Sequence, residues 1–251
     1  MMRLFLSSFL ACGFLAAVAC ADPSAEVRER AEAGAPWSQY YLGLMYAQGI
    51  SIPKDLGEAL KWYRRSADQG TAIAQFSIGE MYETGTGVPK DRAEGVKWYH
   101  HAAEQGDADA QVKLGAIYTS GDEGVKDFAE AAKWYLRAAA QGKTEAQYQI
   151  GLMYEQGAGV PKHFIEAVAW YRRAAEQGDA RAQARLGFMY YNGIGLPDDI
   201  IQAHVWWNLA AAKGMVAAER NRLDVENEMT DEQKIEAMKR GRELFVRLEK
   251  K

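Results

Sequence analysis

The sequence predicts an all-α protein: a right-handed α-solenoid of paired antiparallel helices with helical caps. Three observations carry this reading. Glycine recurs at Gly34, Gly70, Gly106, Gly142, Gly178 and Gly214, each 36 residues after the last. A second glycine series, Gly43 to Gly187, keeps the same step. So do Tyr46, Tyr82, Tyr118, Tyr154 and Tyr190, and Trp62, Trp98, Trp134, Trp170 and Trp206. Series that hold one register without a slip mark stacked supersecondary units, because one such unit cannot bury its apolar faces alone.

The N-terminus stands apart. A short basic start ending at Arg3 precedes an uncharged apolar run over residues 4–19, then Ala19-Cys20-Ala21 and Asp22-Pro23. This order of basic, apolar and small-residue regions reads as a secretory signal peptide over residues 1–21. The run is shorter than the roughly 20 residues a membrane span needs, and no other segment is apolar enough, so no membrane span is expected. Cleavage removes Arg3, Cys12 and Cys20, leaving a thiol-free chain with no disulfide, thiolate site or cysteine nucleophile. A second reading keeps Cys20: Ala17-Val18-Ala19-Cys20 loosely resembles a lipoprotein cleavage box, with Ala17 where leucine is usual, and makes Cys20 a lipid-anchored N-terminus. Either way the chain is exported, and periplasmic or secreted.

Residues 22–33 are read as an N-terminal capping helix, because residues 25–33 match only the tail of a repeat. Five units follow over 34–214: 34–69, 70–105, 106–141, 142–177 and 178–213. In the second, Thr71 to Thr84 has helical spacing of Ala74, Ile78, Met81 and Tyr82 (helix A). Gly85-Thr86-Gly87-Val88-Pro89 is a loop. Asp91 then opens helix B as its N-cap, with Glu94 three residues on, and the spacing predicts a reciprocal capping box. Asp55/Glu58, Asp127/Glu130 and Asp199/Gln202 repeat it; the fourth unit breaks it with His163 before Glu166. Helix B stops at Gly106, a C′ glycine. Gly79 and Ala102-Ala103 let the helices approach, and the tryptophans are read as core. The third unit replaces the glycine loop with Asp122-Glu123-Gly124-Val125, which predicts an altered turn. Residues 215–251 are capping helices. Thr230 with Gln233 starts the last, with Ile235, Met238, Phe245 and Leu248 as its apolar side and Lys234, Lys239, Arg240, Arg242 and Lys250 as its wet side.

The residues Ala74-Gln75, Ile78-Gly79, Met81-Tyr82, Gly85-Thr86-Gly87-Val88-Pro89-Lys90-Asp91, Lys97-Trp98-Tyr99 and Ala102-Ala103-Glu104-Gln105-Gly106 resemble the Sel1-like repeat, a relative of the tetratricopeptide repeat with a longer loop. The resemblance spans 34–214 and implies a protein-binding adaptor or scaffold whose helix A lines the concave groove.

Counting from each opening glycine, steps 4, 5, 8, 9, 11 and 12 of helix A repeat and share a side; steps 3, 6, 7, 10, 13 and 14 fall opposite, free of the packing rule. Nine of thirteen tyrosines occupy repeated positions. The other four, Tyr40, Tyr41, Tyr148 and Tyr191, lie on the free side. With them lie Trp37, Phe76, Phe188, Leu44 and Leu152, and the charged Glu80, Lys113 and Arg181. These twelve residues are the candidate partner-binding set, since exposed aromatics with arginine dominate protein interfaces. The competing reading gives them to sideways packing between helices.

No chemistry competes with binding. His100 and His101 diverge by about 100° on a helix and cannot chelate one metal together. No nucleophile elbow, Walker loop or dinucleotide fingerprint occurs. Paired carboxylates such as Glu80/Glu83 are expected on a solvated face, where mutual pKa tuning is weak. No catalytic residue, cofactor or metal is expected. A formal charge of −4 without a basic cluster argues against nucleic acid as a partner. A protein or peptide is the expected partner; the alternative is an accessory or hydrolase acting on cell-wall material.

Overall fold

The computed structural model describes residues 23–121 and 126–249. The signal-peptide reading, Cys20, and the altered turn at 122–125 lie outside the described residues. Every element among the described residues is a helix: α1 (Pro23–Glu32), then five A/B pairs. These are α2 (Pro36–Gln48) with α3 (Leu56–Ala67), α4 (Ala72–Thr84) with α5 (Arg92–Glu104), α6 (Ala108–Ser120) with α7 (Phe128–Ala140), α8 (Thr144–Gln156) with α9 (Phe164–Glu176), and α10 (Ala180–Asn192) with α11 (Ile200–Ala212). The last two are α12 (Val216–Glu228) and α13 (Asp231–Glu249). From α1 to α12 consecutive helices pack, α13 packs on α11, and the stack is an all-α solenoid.

One aromatic lock joins the two helices of every unit. A Cβ at Gly79 would lie 2.6 Å from the ring of Tyr99, and one at Gly115 2.7 Å from that of Tyr135. Gly43 with Tyr63, Gly151 with Tyr171 and Gly187 with Trp207 repeat the contact. The glycine is therefore the seat of the second helix B aromatic. Each ring so buried contributes roughly 1.5–3 kcal/mol through area removed from water. The tryptophans one residue earlier face the neighbouring unit: Trp62, Trp134 and Trp206 are buried, Trp98 and Trp170 half-buried. Arg65, Arg137 and Arg173 lie 4.4 to 4.7 Å from the rings of Trp62, Trp134 and Trp170.

The helix B caps form, but not as a reciprocal box. Asp91 accepts from the Glu94 N–H at 3.0 Å, and Asp55, Asp127 and Asp199 act likewise. His163 keeps the role through Nδ1, at 3.2 Å from the Glu166 N–H. The cap's own N–H does not go to the glutamate. Asp55, Asp91, Asp127, His163 and Asp199 donate to the carbonyls of Tyr46, Tyr82, Tyr118, Tyr154 and Tyr190, at 2.9 to 3.0 Å. The loop returns so that an orphan carbonyl at the end of helix A meets an orphan N–H at the start of helix B. The displaced Glu58, Glu94 and Glu130 pair instead with Lys61, Lys97 and Lys133.

Buried glutamines stitch the units. Gln39, Gln75, Gln111, Gln147 and Gln183 donate to the last carbonyls of the preceding helix, at Ala31, Ala67, Ala103, Ala139 and Ala175. In three units a second amide completes the clasp: Gln69, Gln141 and Gln177 donate to the side-chain oxygens of Gln39, Gln111 and Gln147. The clasp fails twice, and Gln75 Oε1 and Gln183 Oε1 are buried without a partner. In the fifth unit the cause is Lys213, which stands where the others have glutamine and donates to the Gly178 carbonyl.

The final helix departs from expectation. It packs on α11 rather than on α12, burying Ala237 and Leu244 with Leu248 partly covered. Ile235, Met238 and Phe245, read as its apolar side, are exposed. Arg240, read as wet, pairs with Glu236 and lies 3.5 Å from Asp199 on α11. Two apolar stripes compete on α13, and α11 takes the one that sets Ala237 and Leu244 into the core.

Candidate partner-binding face

The unrepeated side of helix A is partly a packing surface. At step 6, Tyr40 stacks on Tyr63 (centroids 5.7 Å apart), Phe76 lies 5.5 Å from Tyr99, and Tyr148 5.8 Å from Tyr171. Tyr191, at step 13, meets Trp207 at 5.7 Å. Each ring extends the aromatic lock outward. Tyr40 is only 8% exposed and belongs to the core, a correction to its placement on an open face. Its partner Tyr63 comes from the other helix, a contact that a wheel drawn for helix A alone does not contain.

The charges are also engaged. Lys113 pairs with Glu83 at 2.9 Å, and the Tyr99 hydroxyl donates to the same carboxylate at 2.6 Å. Two units on, Arg185 and the Tyr171 hydroxyl converge on Glu155. Arg181 pairs with Glu145 and Asp179, its guanidinium 4.3 Å from the Tyr148 ring centroid. The Tyr191 hydroxyl donates to Glu228. Burial opposes ionisation of Glu83, but the Tyr99 and Lys113 hydrogen bonds hold its carboxyl below the ordinary range. For Glu80 burial prevails and raises the pKa, with Lys113 opposing and Glu83, Asp109 and Asp107 adding to the rise. The two carboxyls shift in opposite directions chiefly through their surroundings, and their effect on each other is minor.

What stays open is of two kinds. Trp37 and Tyr41 on α2 and Phe188 and Tyr191 on α10 are exposed rings, Trp37 the most at 59%. The other is a cleft of about 510 Å³ running from α2 across α4 to the start of α6. It gathers Tyr40, Leu44, Phe76 and Glu80 from the sequence-derived set. It adds Tyr63, Ile73, Ser77, Lys54, Asp107 and Asp109, which the sequence reading left out. Tyr63 escaped because its position repeats and so reads as core; Asp107 escaped because it also caps α6, accepting from the Ala110 N–H. Leu152 and Tyr148 lie together farther along, partly buried against the core of the last units. The structure thus divides the twelve residues rather than assembling them into one site.

A family model described as Sel1 repeat matches residues 38–71, 72–107, 108–143, 144–179 and 180–215. A comparison with curated proteins returned no match. Among solved structures, the chain is similar to a Sel1 repeat protein from Oxalobacter formigenes: 36% identity over 78% of this chain and 86% of that one, with a TM-score of 0.70. It is also similar to a protective antigen of uropathogenic Escherichia coli strains displaying an SLR fold: 30% identity, TM-score 0.58, over 89% of this chain and 56% of that one.

Proposed function

The chain belongs to the Sel1 repeat family, and on that premise we propose that it is a non-enzymatic adaptor of the bacterial envelope or a secreted one, holding a protein or peptide partner on its helix A face. Sel1 repeat chains in general are protein-interaction modules. The observation that carries the reading is the contrast within helix A. Its repeated side is closed by the aromatic lock, while its unrepeated side holds the cleft and the exposed rings of Trp37, Tyr41 and Phe188. Large aromatic side chains, tryptophan and tyrosine above all, are the usual anchors of a protein interface.

The test replaces those three rings by serine together and compares proteins captured from envelope extract by the two chains. Because none of the three is buried, helicity and thermal unfolding should stay close to those of the parent chain. Partners retained unchanged by the variant would refute the assignment, and cell-wall hydrolysis by the purified chain would refute the non-enzymatic reading. Export rests on residues 1–21. Mass spectrometry of the mature protein separates an Asp22 start from a lipidated Cys20, and an intact Met1 would contradict both.

A further inference from the structure

The molecule contains its own template for what the cleft accepts. In units 4 and 5, the Tyr148 ring is covered by the guanidinium of Arg181, which the Asp179 carboxylate holds from two residues away. Two repeats earlier the same positions are Phe76, Asp109 and Asp107. Ring and acid are kept, but the cation is replaced by a second acid. Glu80 adds a third, where unit 4 has Leu152. Of these, Asp109 pairs with Lys143 at 2.7 Å; Glu80 makes no ion pair within 4 Å among the described residues, and Lys113 acts on it only at longer range. Lys54 is the one cation among the described lining residues.

We infer that this cleft takes a lysine- or arginine-bearing segment of the partner, the cation lying over the Phe76 ring between Glu80 and Asp107 and an apolar neighbour resting against Tyr63 and Ile73. The inference rests on the reading of helix A as the binding face. It follows from charge complementarity on an aromatic floor, the arrangement in which a cation gains both from the ring and from nearby carboxylates.

Three fluorescein-labelled peptides test it, alike except for arginine, citrulline or glutamate between two leucines, titrated against the full chain by anisotropy. The arginine peptide should bind about tenfold tighter than the citrulline one, the scale of a desolvated cation–π contact with an ion pair, and the glutamate peptide weakest. Glu80→Gln should narrow the arginine preference. Asp109→Arg, which puts a cation where unit 5 has Arg181, should abolish it with thermal unfolding little changed, since the Asp109–Lys143 pair it removes is exposed. Equal affinity for all three peptides, no binding of the arginine peptide, or a preference indifferent to both substitutions would overturn the inference. Partners from extract that depend on Trp37, Tyr41 and Phe188 but ignore Asp109→Arg would sink the cleft inference alone. Partners that ignore all four positions would sink the binding-face reading as well.

Discussion

The repeats and the C-terminal pair solve the same packing problem in different ways. In each repeat, helix A offers a glycine seat to an aromatic of helix B, and the cap N–H of helix B is spent on a helix A carbonyl. Neither helix is complete without the other. In the terminal pair the seat position is Leu223, which is exposed. Glu226 stands where the repeats have tyrosine, and reaches His204 on α11 at 2.7 Å. The start of α13 is self-sufficient: Thr230 N–H donates to the Gln233 side chain and Gln233 N–H to the Thr230 hydroxyl, a true capping box. A repeat is thus a mutual dependency, whereas α13 caps its own start.

That contrast can be broken most severely at the seat. Gly115→Leu installs the terminal residue inside a repeat, against a Tyr135 ring that is itself buried. It should cost about 3 kcal/mol or more in urea unfolding, whereas Leu223→Gly should cost about 1 kcal/mol, the helix-propensity difference. Comparable losses would mean that the seat is not what separates the two regions. The caps come next. Asp127→Ala and Thr230→Ala should each cost about 1 kcal/mol, with different readouts. The first should lower global unfolding free energy; the second should appear as faster amide exchange in the first turn of α13 alone. A smaller effect runs in the other direction. Lys213→Gln supplies the amide that Gln183 Oε1 lacks and should add about 1 kcal/mol, seen as a higher urea midpoint. Smallest is Gly241→Ala, since a Cβ there meets nothing within 4 Å; calorimetry should show a gain of about 0.5–1 kcal/mol.

The period made the repeats legible, because glycine, tyrosine and tryptophan each fix one contact that recurs wherever the unit recurs. The helix B caps were half legible. Asp91 and Glu94 have the spacing of a box, but nothing local shows that the Tyr82 carbonyl arrives first. The face of α13 was misread for a related reason. Ile235, Met238 and Phe245 form a fair helical stripe, and only the surface of α11 decides that Ala237 and Leu244 turn inward. At the candidate site, periodicity separated packing from non-packing steps, yet it could not see that Tyr40 stacks on a ring from the next helix. Asp107 and Asp109 were not legible because the cleft crosses three units, and the wheel of a single helix does not show which side chains of the next unit face it. The exposed Trp37, Tyr41 and Phe188 were legible because no partner helix competes for them.

The glutamine clasps carry a mechanical consequence. They tie the turn entering a unit to the turn leaving it in units 1, 3 and 4, and are incomplete in units 2 and 5. Pulled from its two ends, such a stack bears load through unequal links in series. Units 2 and 5 should therefore yield at lower force than their neighbours, each releasing roughly 120–130 Å of chain at full extension. Unit 2 supplies Phe76 and Glu80 to the acid-lined cleft, with unit 1 and the start of unit 3 lining the rest. Tension along the array would reach that cleft early, so grip on a partner and strain on the chain would be coupled at the same place.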